Sequence, residues 1–184
     1  MDPEDSLRGQ LLIASPALAD PNFTRTVVLV VEHNDEGAMG IVLNRPSTAA
    51  VAEAVPPLED LVPPDEWVYV GGPVEPASVV VLAEFDDTDA AAALVFGDLG
   101  FLRADADASV LESAARRFRV FAGYSGWGAG QLEAELALPS WIVESSEVED
   151  VFTGDPENLW SAVLRRKGGQ FAVIATMPPD PSVN

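Results

Sequence analysis

The sequence predicts an α+β fold, a mixed and mostly antiparallel sheet with a few helices around it. Three observations carry that expectation. Short, β-branched apolar runs outnumber helical patterns. Many of these runs are joined by links of hairpin length. No regular alternation of strand and helix is present, which a doubly wound parallel sheet requires.

The elements follow in chain order. Residues 1–8 read as a short disordered tail and 9–184 as a single domain, in keeping with ~150 residues per domain. Residues 10–14 form a short apolar strand ended by Ser15-Pro16. Residues 26–32 (TVVLVVE) are a second strand, Asn34-Asp35-Glu36-Gly37 a turn, and 38–44 (AMGIVLN) the return strand. Ser47 or Thr48 is positioned to cap a short helix that Pro56-Pro57 stops. Strands are expected at 66–70 and 78–85, with further short ones at 93–96 and 100–103 inside an acidic, irregular stretch. Ser109 with Glu112 has capping-box spacing for a helix reaching residue 116. A strand at 119–124 leads into a glycine-rich loop at 123–130, a helix at 131–138 and a strand at 141–145. Asp155-Pro156 opens a helix that ends near Lys167, where three basic residues meet its negative end. Residues 171–184 are compatible with helix or strand.

The charge is the outlying number. Thirty acidic residues against ten basic ones give a net charge of −20. Nine of the ten cations are arginine, and both a GC-rich genome and a salt-adapted proteome account for that bias. A DNA-binding surface needs concentrated positive charge, so direct nucleic-acid binding is not expected. The absence of cysteine excludes disulfides, thiolate nucleophiles and cysteine-type zinc sites. The longest apolar runs are strand length, far short of the ~20 residues that span a bilayer. The N-terminus is acidic rather than basic and apolar, so a cytoplasmic protein without membrane attachment is expected.

No catalytic motif is intact. Asp105-x-Asp107-x-Ser109 begins like a calcium loop but has Val110 and Arg116 where glycine and glutamate belong. Gly126-x-Gly128-x-Gly130 resembles a dinucleotide fingerprint, yet Gln131 occupies the last glycine position. The segment reads chiefly as a tight structural turn, with Glu133 and Glu135 complementing the helix dipole, and alternatively as an anion or oxyanion holder. Ser125 sits where a nucleophile elbow would place it, but Trp127 replaces the closing glycine and a turn residue is the simpler reading. His33, the one histidine, is either a solvated turn residue or a proton shuttle or ligand. Arg45 either pairs with a buried carboxylate or binds an anionic ligand. The four tryptophans read as core and interface residues. No metal site and no cofactor are expected.

Several segments together carry a resemblance. They are Gly9 to Ala14 with Pro16, Asp20 and Phe23-x-x-Thr26-Val27-Val28; His33, Gly37-Ala38-x-Gly40 and Leu43-Asn44-Arg45-Pro46; Gly71-Gly72-Pro73-Val74; and Gly123-Tyr124-x-Gly126-Trp127-x-x-Gly130-Gln131-Leu132-Glu133-x-Glu135. Their order and spacing resemble the AlgH/YqgE family of bacterial proteins over residues 8–180. The resemblance implies a bifurcated sheet folded into a pseudo-barrel with peripheral helices. It attaches no biochemical activity, although members are often labelled transcriptional regulators. Many relatives carry alanine where this chain has Ser125. The matching polar and aromatic positions are Asp20, Asn22, Thr26, His33, Asn44, Arg45, Tyr124, Trp127, Gln131 and Glu133, which are expected to converge on one cleft. The function expected is a non-catalytic regulatory or adaptor protein, a monomer or weak oligomer, taking a protein or small-molecule partner there. The alternative is an enzyme that uses His33 and the Gly126 to Gly130 segment on an anionic small molecule.

Overall fold

Ten strands and six α-helices make up the computed structural model, which describes residues 5–103 and 108–179. The strands are β1 (Gln10–Ala14), β2 (Val27–Asn34), β3 (Gly37–Val42), β4 (Pro46–Ala50), β5 (Trp67–Val70), β6 (Val74–Phe85), β7 (Ala93–Phe96), β8 (Leu99–Phe101), β9 (Ala115–Gly128) and β10 (Trp141–Ser145). Their order is β10-β1-β2-β3-β9-β6-β8-β7, with β5 bridging β4 to β9. Every pairing is antiparallel except β5 with β9. The sheet bifurcates at β9. The end of that strand pairs with β3, while its earlier residues pair with β6 and β5. The path stays open and does not close into a complete barrel.

The helices are α1 (Val51–Ala54), α2 (Ala108–Ala114), α3 (Gln131–Leu136), α4 (Val148–Val151), α5 (Pro156–Lys167) and α6 (Gln170–Ile174). β1 is covered on both faces, which explains its unbroken apolar sequence. Leu11 and Ile13 enter the main core with Leu159, Trp160, Val163 and Leu164 of α5. Leu12 and Ala14 face a second cluster with Trp127, Trp141 and Leu132 of α3. A third cluster packs Val51 and Leu58 on Val68, Phe85, Phe118 and Val120.

Several expectations are corrected. Ser47 and Thr48 do not cap a helix: they lie in β4, paired with β5, and α1 starts only at Val51 without a side-chain cap. Pairing with a neighbouring strand overrides the local capping signal. Ser109 lies inside α2, which ends at Ala114, so Arg116 is already strand. Residue 107, which precedes α2, and most of the Asp105 to Ser109 motif fall outside the described residues. Asp155 does precede α5, but its carboxylate accepts from the Asn158 amide (2.9 and 3.0 Å) rather than from the helix backbone. In the expected tail, Ser6 and Leu7 are tied to β2: the Ser6 hydroxyl donates to the His33 carbonyl (3.0 Å). The 171–184 stretch begins as helix, within α6.

The largest correction concerns the glycine-rich segment. Gly126 and Gly128 belong to β9, opposite Met39 and Gly37 of β3. Only Ala129 and Gly130 form the turn into α3. The Gly71-Gly72 link is built into the same junction. The Gly71 N–H donates to the Ala122 carbonyl (2.9 Å), and its own carbonyl accepts from the Val42 N–H (2.8 Å).

Candidate functional site

α3 organises the site. Gly130 precedes it at φ +71°, a left-handed conformation that glycine adopts freely. The turn folds α3 back over the sheet and buries Leu132 against the second cluster. Gln131 and Glu135, four residues apart, then share a helix face, and the Gln131 amide donates to Glu135 Oε1 (3.1 Å). Gln131 Oε1 accepts the Gly128 N–H (3.0 Å). One amide of the segment expected to hold an anion, that of Gly128, is therefore already occupied.

Beside this face lies a cleft of about 450 Å³. Its walls include Asp20, Phe23, Pro73, Trp127, Gln131, Glu135 and Trp141. Glu135 is its hub. Its Oε2 accepts from the indole N–H groups of Trp127 (2.9 Å) and Trp141 (2.8 Å). Phe23 stacks on Trp127 (centroids 6.2 Å) and meets Trp141 edge-on (5.5 Å), while the two indoles are themselves T-shaped (6.1 Å). Separated sequence segments thus meet here: the Asp20 to Phe23 loop, Pro73-Val74, and the run from Gly126 to Glu135.

His33 lies outside the cleft walls. Its side chain is only 2% exposed, so it is not a solvated turn residue. Its Nδ1 accepts the Leu7 backbone N–H (3.0 Å). The proton of the neutral ring therefore sits on Nε2, which donates to Glu133 Oε1 (2.8 Å). Both nitrogens are engaged in holding the chain start and α3 to β2. Glu133 titrates below the ordinary carboxylate range, first through its own backbone N–H and then through His33. A depressed pKa adds stability above the unfolded-state value, near pH ~4.3, and that stability is lost as pH falls through the folded value. The wild type is expected to melt above Glu133→Gln at neutral pH, with the gap closing on acidification below pH ~4. Melting temperatures of both proteins across pH check this, and a gap constant with pH refutes it.

The other expected residues divide into groups. Asn44 and Arg45 brace the loop at 20–26. The Asn44 amide donates to the Arg25 carbonyl (2.9 Å) and accepts the Val27 N–H (3.0 Å). The Arg45 guanidinium donates to the Asn22 and Thr24 carbonyls. Thr26 closes the loop through a bond from its hydroxyl to the Phe23 carbonyl (2.8 Å). Burial lowers the Arg45 pKa, and the field of Asp20 opposes that. Tyr124 packs against the main core. The Ser125 hydroxyl is fully buried and donates to the Gly71 carbonyl (3.3 Å). Of the ten matching positions, Asp20, Trp127 and Gln131 therefore line the cleft.

Sequence reasoning missed Glu135 as the hub and Phe23 and Trp141 as walls. The available signal was the spacing of Gln131 and Glu135, together with the need of buried indoles for an acceptor. Among the described residues, no group of three or more histidine or carboxylate side chains is arranged to hold a metal ion. No helix among them is long and apolar enough to cross a membrane.

Comparison with known proteins agrees with this architecture. A family model described as AlgH-like matches residues 11–172. A UPF0301 protein of Streptomyces avermitilis is 43% identical, over 97% of this chain and 96% of its own. A UPF0301 protein of Mycobacterium tuberculosis is 40% identical over 100% of this chain and 97% of its own. A crystal structure of a Corynebacterium diphtheriae protein superposes with a TM-score of 0.84 at 27% identity, covering 92% of this chain and 91% of that one. The solution structure of AlgH from Pseudomonas aeruginosa superposes with a TM-score of 0.71 at 33% identity, covering 97% of each chain. The chain belongs to the AlgH-like family.

Proposed function

We propose that the protein is a non-catalytic regulatory or adaptor protein that takes a partner or small molecule into the cleft beside α3. The observation that carries this reading is the convergence of four separated segments, Trp141 of β10 among them, on one cavity whose polar groups are prearranged around Glu135. Its walls combine aromatic rings with the carboxylates of Asp20 and Glu135 and include no cation. Direct DNA binding is not part of the proposal. Arg116, Arg117, Arg119, Arg166 and Lys167 are each ion-paired with carboxylates, whose negative charge opposes the approach of a phosphate backbone. In this reading the protein works in the cytoplasm as a monomer or weak oligomer.

The enzyme alternative has less support. It needs a free His33 nitrogen, a glycine loop with open amides, and Arg45 turned toward a substrate. His33 is engaged at both nitrogens, Gly126 and Gly128 are in a strand, and Arg45 holds backbone carbonyls.

A thermal-shift screen of a metabolite library on wild type and Gln131→Ala tests the proposal. Stabilising compounds are expected to move the Trp127 and Trp141 indole resonances and to lose their effect in the variant. A low-salt gel shift is expected to show no sequence-specific complex. Stabilisation unchanged by Gln131→Ala, or a sequence-specific DNA complex, overturns the reading.

A further inference from the structure

A second cavity, of about 420 Å³, lies against Trp160, with Thr24 and Arg25 of the 20–26 loop in its wall. Its walls are mainly apolar, including Pro16, Leu18, Trp160, Met177 and Pro178, and Arg25 is the charged residue among them. The Arg25 guanidinium lies 4.0 Å from the centroid of the Trp160 ring. One of its N–H groups donates to the Met177 carbonyl (2.9 Å). A guanidinium carries five donors, and among the described residues the Met177 carbonyl takes one of them. Among the described residues no carboxylate ion-pairs with it, in a chain with thirty of them. Burial lowers its pKa, which marks a partly desolvated charge.

The placement of this side chain is built with care. Arg25 sits at φ +54°, a left-handed conformation that costs a non-glycine residue free energy. The kink is held by Asn44, which grips the Arg25 carbonyl, and by Arg45, which grips the carbonyls on either side of residue 23. Trp160, on which Arg25 lies, is equally fixed. The Trp160 ring is 2% exposed, and its indole N–H donates to the Ala14 carbonyl (2.9 Å).

We propose that this cavity is a binding site for an organic carboxylate with an apolar body, its carboxylate on Arg25 and its body against Trp160, Met177 and the prolines. The guanidinium fork matches a carboxylate in two-bond geometry. A single cation in a chain of net charge −20 suits a monoanion better than a phosphate dianion. The cavity falls within the range of small-molecule sites, roughly 300–1,000 Å³. Leu18 lies between it and the cleft around Glu135, lining both.

The test is titration of the full chain with 4-phenylbutyrate, 4-phenylbutanol and acetate, followed by calorimetry and by the tryptophan indole resonances. 4-Phenylbutyrate is expected to bind and to move the Trp160 resonance, with the Trp127 and Trp141 resonances unchanged. The alcohol is expected to bind at least about tenfold more weakly, and acetate not to bind below about 10 mM. Arg25→Asn suits the left-handed backbone and is expected to lose at least about tenfold in affinity for the acid. Arg165→Asn, at the exposed end of α5, is expected to bind as wild type does. Equal affinity for acid and alcohol in the wild-type protein overturns the proposal without reliance on any variant. Unchanged affinity in Arg25→Asn, or no binding of the acid below about 10 mM, does so too.

Discussion

Gly72→Ala is expected to destabilise the protein by at least about 3 kcal/mol in urea unfolding. A Cβ at this position would stand 2.2 Å from both the carbonyl carbon and oxygen of Tyr124, and 2.5 Å from the Ser125 nitrogen. All three are backbone atoms of β9, so no side chain can rotate away. Nor can the link retreat, because Gly71 is hydrogen-bonded to Ala122 on one side and to Val42 on the other. Relief requires separating β9 from the β5–β6 connection at the point where the sheet bifurcates, and both halves of the sheet depend on that point. Gly154→Ala is the matched control: its Cβ meets nothing within 4 Å, and the change is expected to stay within about 0.5 kcal/mol of wild type. A Gly72→Ala protein as stable as that control refutes the close approach.

That junction also shows what could be read from the sequence. β1 and β10 fall on the residues expected from their apolar runs, because each run is bounded by turn residues. The β2–β3 hairpin turns at Asp35-Glu36, within the expected turn. β4 and the last residues of β9 were not legible, because their extended conformation comes from partners far away in sequence. Ser47 and Thr48 look like caps until β5 is beside them, and Gly126 and Gly128 look like a loop until β3 is. Glycine has low strand propensity, so only the neighbouring strand reveals the ladder.

The same division holds in the cleft and around it. Asp20, Trp127 and Gln131 were legible as members of motif segments, and they do share the cavity. Asn44 and Arg45 were equally prominent, but they act on backbone carbonyls, a role that residue type alone does not distinguish from ligand binding. The acidity that dominates the composition enters the site only through a few placed carboxylates. Glu135 is one of these, and its partners are what set it apart.

Glu135→Ala is expected to cost about 2–3 kcal/mol, with Glu135→Gln recovering most of it. The carboxylate accepts from two indoles that are each only 6% exposed, and from Gln131. Alanine leaves both indole donors without their acceptor, at roughly 1–3 kcal/mol for each fully buried donor, and water entering from the cleft reduces that sum. Glutamine keeps a carbonyl oxygen at the position of Oε2, where it can receive both indoles, and gives up the charge and the exposed bond from Gln131, which then faces an NH2 group in place of Oε1. Stability in urea together with tryptophan emission separates the cases, since loss of the acceptor frees Trp127 and Trp141 from Phe23 and from each other. If alanine and glutamine variants both match the wild type, water satisfies the indoles equally well. In that event the polar floor of the cleft is not prearranged, and the observation on which the binding proposal rests is removed. If glutamine alone matches, the floor depends on acceptor geometry rather than charge, and a ligand is held there by shape and hydrogen bonding.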